Sequence, residues 1–283
     1  MGALRKQMDG DLVVRGMSVR TREAYLRAVA GLAKHYGRRP DRISEREVQN
    51  YLLHLIEERK LAWSSCNIVV QGLKFFYGVT LKRPEAQFAV PRARQPQKLP
   101  QILSREEVVA LIENTHNLKH RAILMTAYAA GLRLNEICHL KVTDIDSDRM
   151  TMRVEQGKGA KDRYTLLSPR LLAELRRYWI AHRPKEWLFT SKDRTRAISD
   201  ATVHRIYEAA KARARISKEG GIHSLRHAFA THLLEAGVDI HTIQRLMGHG
   251  HISSTLRYFH LARKHLTGTP SPLELLAAPL KPR

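Results

Sequence analysis

Two blocks of the sequence carry side chains suited to handling a phosphate. In His223-Ser-Leu-Arg226-His227, an imidazole and a guanidinium stand three residues apart, so a helix would present both from its first turn. At a helix N-terminus they would meet the positive end of the helix dipole, which favours an anion. A capped helix with solvated charges accounts for this pentapeptide equally well. Further on, Leu246-Met-Gly-His249 closes one expected helix and Ser253-Ser-Thr255 opens another carrying Tyr258. One tyrosine among nine is ordinarily a packing residue whose hydroxyl has found a partner. Gly131-Leu-Arg133-Leu-Asn-Glu136 reads, by itself, as an ordinary connection between helices. Gly157-Lys158-Gly159 looks like a phosphate loop, but Gly159 stands where a P-loop needs Ser or Thr, which excludes ATP binding there.

These residues need elements to hold them. From Ser18 to Tyr36, Tyr25, Leu26, Val29, Leu32, Ala33 and Tyr36 recur at helical spacing, with Arg20, Arg22, Arg27 and Lys34 between them as a basic face. Ser44 followed by Glu47 is a capping-box signature for a second helix with Val48, Leu52, Leu55 and Ile56 inward. A third, near 64–79, carries Ile68, Val69, Leu73 and Phe76. Residues 1–83 thus form a small helical domain. Residues 84–102 are a basic linker, because Pro84, Pro91, Pro96 and Pro100 preclude a helix. Its Arg92, Arg94 and Lys98 suit either contact with a polyanion or plain solvation.

A second domain begins at 103, with the capping box Ser104/Glu107 ahead of Val108, Val109, Leu111 and Ile112. A helix is expected around 122–130. Between 142 and 167 the period becomes two, through Met150, Met152 and Val154 and then Tyr164 and Leu166. Asp146-Ser-Asp-Arg149 marks one turn and 157–162 the next, giving a small antiparallel sheet. Helices resume near Pro169, Asp200, Ser224 and Asp239; in the one from Ser224, Leu225, Phe229, Leu233 and Ala236 face the core. The fold class expected is mainly α, a helical N-terminal domain followed by a mixed α+β domain.

Composition points to the partner. In 283 residues, 49 basic against 27 acidic side chains leave a net charge of +22, which calls for a polyanion. No stretch approaches the roughly 18 apolar residues of a membrane span. The N-terminus has no apolar segment of a signal peptide, and Lys6 breaks a myristoylation motif. Cys66 and Cys138 are far apart without metal spacing, which suits two core thiols in a reduced, cytoplasmic protein.

Taken in order, Gly-Leu-Arg-x-x-Glu at 131–136, Gly-Lys-Gly in a hairpin turn, His-x-Leu-Arg-His, and Gly-His with Tyr258 nine residues later resemble the tyrosine recombinase (phage integrase) family over about 103–265. The N-terminal helices resemble, less specifically, that family's SAM-like core-binding domain. The resemblance implies a site-specific DNA recombinase in which Tyr258 attacks the scissile phosphate, leaving a 3′-phosphotyrosyl bond and a free 5′-hydroxyl, with exchange through a Holliday junction. It implies that Arg133 and Arg226 clamp the non-bridging oxygens and that Lys158 protonates the leaving 5′-oxygen. His223 takes part in proton transfer at the nucleophile, His249 hydrogen-bonds the phosphate, and Glu136 supports the site. Phosphoryl transfer needs positioned cations where charge builds, and these side chains can supply them without metal or nucleotide cofactor. Arg20, Arg22, Arg92, Arg94, Lys98, Lys161 and Arg163 are further candidates for DNA contact.

Gly250-His251, Phe259 and Met247 depart from the commonest family pattern without removing a reacting group. Fifteen histidines invite a metal reading, but His223 and His227 lack the glutamate of a zincin motif. A type IB topoisomerase and a silent DNA binder on the same fold are the alternatives; the separate helical domain argues against the first, Tyr258 against the second. Double-stranded DNA is the expected partner, with a dimer on one site and a tetramer in synapsis. Within 266–283, Leu273, Leu275, Leu276 and Leu280 suit docking on a neighbouring subunit or folding back on their own domain. No long N-terminal arm-binding domain is evident, so simple core sites and an Xer-like or mobile-element recombinase are expected. DNA binding should weaken steeply with salt, each neutralised phosphate adding about −0.9 to the log–log slope. Equal affinity at low and physiological ionic strength would contradict this.

Overall fold

In a computed structural model the chain divides into two units, Met1–Gln97 and Lys98–Arg283. The structure describes residues 2–83, 100–155 and 162–259, with the side chains of Arg257 and Phe259 outside the description. No helix among the described residues is long and apolar enough to cross a membrane.

The first unit is helical. Helix α1 (Gly2–Val14) precedes α2 (Val19–Tyr36), α3 (Glu45–Glu57) and α4 (Trp63–Phe75), and a π-helical turn continues α4 through Phe76–Thr80. The Ser18 hydroxyl accepts the Thr21 N–H at the start of α2, and Ser44 with Glu47 forms the expected reciprocal cap of α3. Val29, Leu32, Val48, Leu52, Leu73 and Phe76 meet in one core. Ile56, expected to face inward, lies on the exposed side of its helix, as does Ile68. Helix α1 goes beyond the sequence reading: its apolar stripe is short, with Met8 and Leu12 buried one turn apart. Arg22, a candidate for DNA contact, grips Asp9 with Nε and Nη2 at 2.9 and 3.0 Å, fastening α2 to α1. Arg20 is exposed on α2.

The second unit places α5 (Arg105–Glu113), α6 (Leu118–Ala129) and α7 (Leu134–Cys138) before a three-stranded antiparallel sheet. Strands β1 (Ile145–Asp146), β2 (Thr151–Val154) and β3 (Arg163–Leu166) follow in that order, with Met152 opposite Thr165 and Val154 opposite Arg163. The first turn is where the sequence puts it, with the Asp146 carboxylate accepting the Asp148 and Arg149 N–H groups. Met152 and Val154 are buried as their period requires. On β3 the faces are reversed from the apolar pattern: Tyr164 and Leu166 are 62% and 42% exposed, while Thr165 is buried. Thr165 faces inward because its hydroxyl donates to the Ala130 carbonyl at 2.9 Å, and Arg163 on the same face has a partner below. Alternation fixes two faces but not which one is the inner.

Helices α8 (Pro169–His182), α9 (Asp200–Arg213) and α10 (His223–Glu235) complete the main core, with Ile123, Leu124, Leu171, Val203 and Leu225 almost fully buried. Helix α10 is buried on nearly every side, so Ala228, Ala230 and Leu234 join Leu225 and Phe229 inside while Ala236 is exposed. A second small core of Phe229, Ala230, Leu234, Ile243, Met247 and Tyr258 gathers α10, α11 (Ile240–Met247) and α12 (Ser253–Phe259). It sets where Tyr258 stands. Cys66 and Cys138 are free and buried. Residues 84–99, with Arg92, Arg94 and Lys98, lie outside the described residues, as do Lys158, Lys161 and the tail from 260.

Candidate active site

The site grows from the turn between α6 and α7. Gly131 has φ +60°, and a Cβ there would stand 2.4 Å from the Phe229 ring, so glycine alone lets the turn press against α10. The turn delivers Arg133 as the residue capping α7. Three residues on, the Glu136 carboxylate folds back: Oε2 accepts the Arg133 backbone N–H at 2.8 Å and Oε1 accepts its Nη1 at 2.7 Å.

Two further arginines converge on that carboxylate. Arg163 of β3 forks onto both oxygens at 2.8 and 2.7 Å, and Arg226 of α10 brings Nη1 to 3.8 Å from Oε2. Burial by itself would raise the Glu136 pKa, but the hydrogen bonds and charge of Arg163, and then those from Arg133, hold it at about 2. Burial, followed by the facing charge of Arg133, draws the Arg226 pKa down to about 9, with Glu136 pulling the other way. It remains a cation at neutral pH. One carboxylate among three guanidiniums leaves the cluster positive.

The same arginines hold the end of α11. Arg163 Nε donates to the Leu246 carbonyl at 2.9 Å, Arg226 Nη2 to Met247 at 2.6 Å, and Arg133 Nη2 to Gly248 at 2.8 Å. Helix C-terminal carbonyls have no partner within the helix and carry the negative end of its dipole. Gly248 closes the helix at φ +61°, and a Cβ there would lie 2.7 Å from Arg163 Cδ. Arg226 also donates to the Gly131 carbonyl, so one buried side chain braces both turns.

Past Gly248 the chain presents His249. Its Nδ1 is hydrogen-bonded to the buried Thr255 hydroxyl at 2.8 Å, and Gln244 Nε2 donates to its carbonyl at 3.1 Å. Its ring lies nearly parallel to that of Tyr258, with centroids 6.3 Å apart. Tyr258, 4% exposed, has its Oη 2.9 Å from Nδ1 of His227. His223 occupies the solvent-facing first position of α10, partly walled in by its neighbours. That burial, then the charges of Arg226, His204 and Arg133, lowers its pKa.

The structure therefore brings Arg133, Glu136, His223, Arg226, His249 and Tyr258 into one neighbourhood; Lys158 lies outside the described residues. Arg163, a candidate for DNA contact in the sequence, is held inside the cluster: its side chain is 10% exposed and turned onto Glu136. A basic residue directly after a turn offers no local signal for that role. His227, which the sequence offers as the last residue of His-x-Leu-Arg-His and as half of a possible metal pair with His223, faces the Tyr258 hydroxyl. Its place one turn after His223 and next to Arg226 was the available clue. The assembled groups can clamp a phosphate diester and set a phenol beside it.

A family model described as the phage integrase family matches residues 101–265, and one described as the phage integrase N-terminal SAM-like domain matches residues 4–87. Over 280 residues the chain is 47% identical to the y4qK protein of Sinorhizobium fredii, which carries an integrase/recombinase designation, covering 99% of this chain and 91% of that one. It is 36% identical over 224 residues to the tyrosine recombinase XerA of Pyrococcus horikoshii, covering 76% of each. Among solved structures, the XerH site-specific recombinase bound to difH substrate gives a TM-score of 0.71 at 19% identity, over 93% of this chain and 83% of that one. That last likeness concerns the fold.

The Glu136 cluster yields a stability prediction. A carboxyl held near 2, against an ordinary value of 4.5, stabilises the folded chain fully above pH 4.5, and the contribution is lost as pH falls through about 2. Glu136→Gln should lower stability at pH 7 by on the order of 3 kcal/mol in a denaturant titration, because it leaves buried guanidiniums uncompensated. The gap from wild type should close as the pH is lowered from 4.5 towards 2. Equal stability at pH 7 would show that the carboxylate does not hold the arginines.

Proposed function

The chain belongs to the phage integrase family and is a tyrosine recombinase, and on that footing we propose that it cuts and rejoins duplex DNA at specific sites with Tyr258 as the nucleophile. The observation that carries this reading is the Tyr258 hydroxyl, hydrogen-bonded to His227, the chain neighbour of Arg226 in a net-positive cluster of arginines.

In this reading Arg133 and Arg226 take the non-bridging oxygens of the scissile phosphate, with His223 and His249 at its edge. Fixed cations and hydrogen-bond donors stabilise the charge that develops on the phosphoryl oxygens without having to reorganise. Tyr258 attacks, the bond from phosphorus to the 5′-oxygen breaks, and Lys158 supplies a proton to the departing oxygen. The protein is left joined to the 3′-phosphate, and the ester keeps the energy of the broken bond, so a 5′-hydroxyl can reverse the step without ATP. Exchange of strands between two such sites passes through a Holliday junction. Arg163 and Glu136 position the clamp and do not touch substrate.

Residues 1–83 and 103–265 act as core-binding and catalytic domains joined by the basic linker 84–102. Double-stranded DNA is the partner, bound by dimers that pair as tetramers through surfaces including the tail 266–283. The chain works in the cytoplasm as a mobile-element or Xer-like recombinase.

Tyr258→Phe should bind DNA as the wild type does and form no SDS-resistant protein–DNA adduct. An adduct from the variant would assign the nucleophile elsewhere.

A further inference from the structure

The resemblance gives the proton of the nucleophile to His223, but the imidazole on the phenol is a different one. His227 Nδ1 lies 2.9 Å from Tyr258 Oη, with ring centroids 5.6 Å apart. This is the distance required of a group that takes a proton from an attacking hydroxyl. His223 stands a full turn earlier on α10, and the charged groups around it are Arg226, His204, Arg133 and Glu136. It stands beside the clamp for the phosphate.

Helix α10 gives these three residues different partners. Residues 223, 226 and 227 fall on one side of α10 by its period of 3.6 residues. The first of them reaches outward from the helix start, and the second is drawn inward to the carbonyls of Gly131 and Met247. The third meets α12, which packs on α10 through Tyr258, Phe229 and Leu234. His249 approaches the same tyrosine as a parallel ring, and its Nδ1 is hydrogen-bonded to Thr255. Nδ1 of His227 is bonded to the oxygen that reacts.

We propose that His227 is a catalytic residue of the strand-transfer reaction, the acceptor of the Tyr258 proton. The inference rests on the recombinase reading above. As the bond from Tyr258 Oη to phosphorus forms and the bond from phosphorus to the 5′-oxygen breaks, the phenol proton passes to neutral His227 Nδ1. The 5′-oxygen takes its proton from a separate acid, for which Lys158 is the proposed donor. On religation, His227 returns its proton to the departing phenolate, so the cycle consumes no protons. His223 then serves the phosphate as a hydrogen-bond donor.

The test uses single-turnover adduct formation by the full chain. The substrates are nicked duplexes recovered as covalent adducts by the wild type from a library randomised at its centre. His227→Gln keeps a hydrogen-bonding group near the phenol but is not a base. It should bind these duplexes with unchanged affinity and form adduct on the order of 100-fold more slowly, the usual contribution of a general base. The loss should persist when sulfur replaces the bridging 5′-oxygen, because a thiolate leaves without an acid. His227→Ala should be slow as well and partly restored by added imidazole. A His227→Gln rate equal to wild type would overturn the proposal, as would a defect erased by the sulfur substrate or an alanine variant indifferent to imidazole. Absence of adduct from the wild type on every duplex would instead overturn the recombinase reading itself.

Discussion

Like charges repel, and a site that must hold a phosphate needs several of the same sign close together. In this chain that conflict is resolved at Glu136 and the C-terminal end of α11. The carboxylate takes both forks of Arg163 and one of Arg133. Three successive carbonyls, Leu246, Met247 and Gly248, each accept from a different arginine. Carboxylate and helix end together offset the repulsion, and the cluster still keeps a net positive charge for a substrate. The meeting of elements at the site depends on it, since the three arginines come from the start of α7, from β3 and from α10. Close approach of those elements requires glycine at 131 and 248.

The position of Tyr258 follows from the same arrangement. With the end of α11 pinned, the few residues from Gly248 to Ser253 must turn back along α10, and α12 docks through Tyr258 into the small core of Phe229, Leu234 and Met247. His249 is fixed by its bonds to Thr255 and Gln244. Orientation of this kind supplies much of what a phosphoryl transfer asks of an enzyme, because the chemistry needs groups already in place when charge develops. A substitution that loosens Glu136 would therefore disturb a tyrosine it does not touch.

Much of this was legible in the sequence, for identifiable reasons. The capped helices α3 and α5 announce themselves through Ser44/Glu47 and Ser104/Glu107, because a capping box is local chemistry. The order of Arg133, Glu136, His223, Arg226, His249 and Tyr258 identified the family, and the structure collects these residues at one place. What could not be read depends on contacts distant in the chain. Arg22 and Arg163 are indistinguishable in sequence from surface cations until Asp9 and Glu136 are placed beside them. Strand β3 turns Tyr164 and Leu166 outward because Thr165 and Arg163 have buried partners, which overrides hydrophobicity. Helix α10 is enclosed on nearly all sides, so its periodicity carried little information about which residue faces the tyrosine.

In the proposed reaction a phosphate poised by the arginine cluster is attacked by Tyr258 and by no other residue. Trapping the adduct on a nicked duplex, digesting it with trypsin and sequencing the nucleotide-bearing peptide by mass spectrometry tests this directly. Cleavage after Arg257 and Arg263 yields a peptide running from Tyr258 to Arg263 with a single tyrosine. The 3′-phosphate mass is expected on that tyrosine. A nucleotide on any other peptide would contradict it.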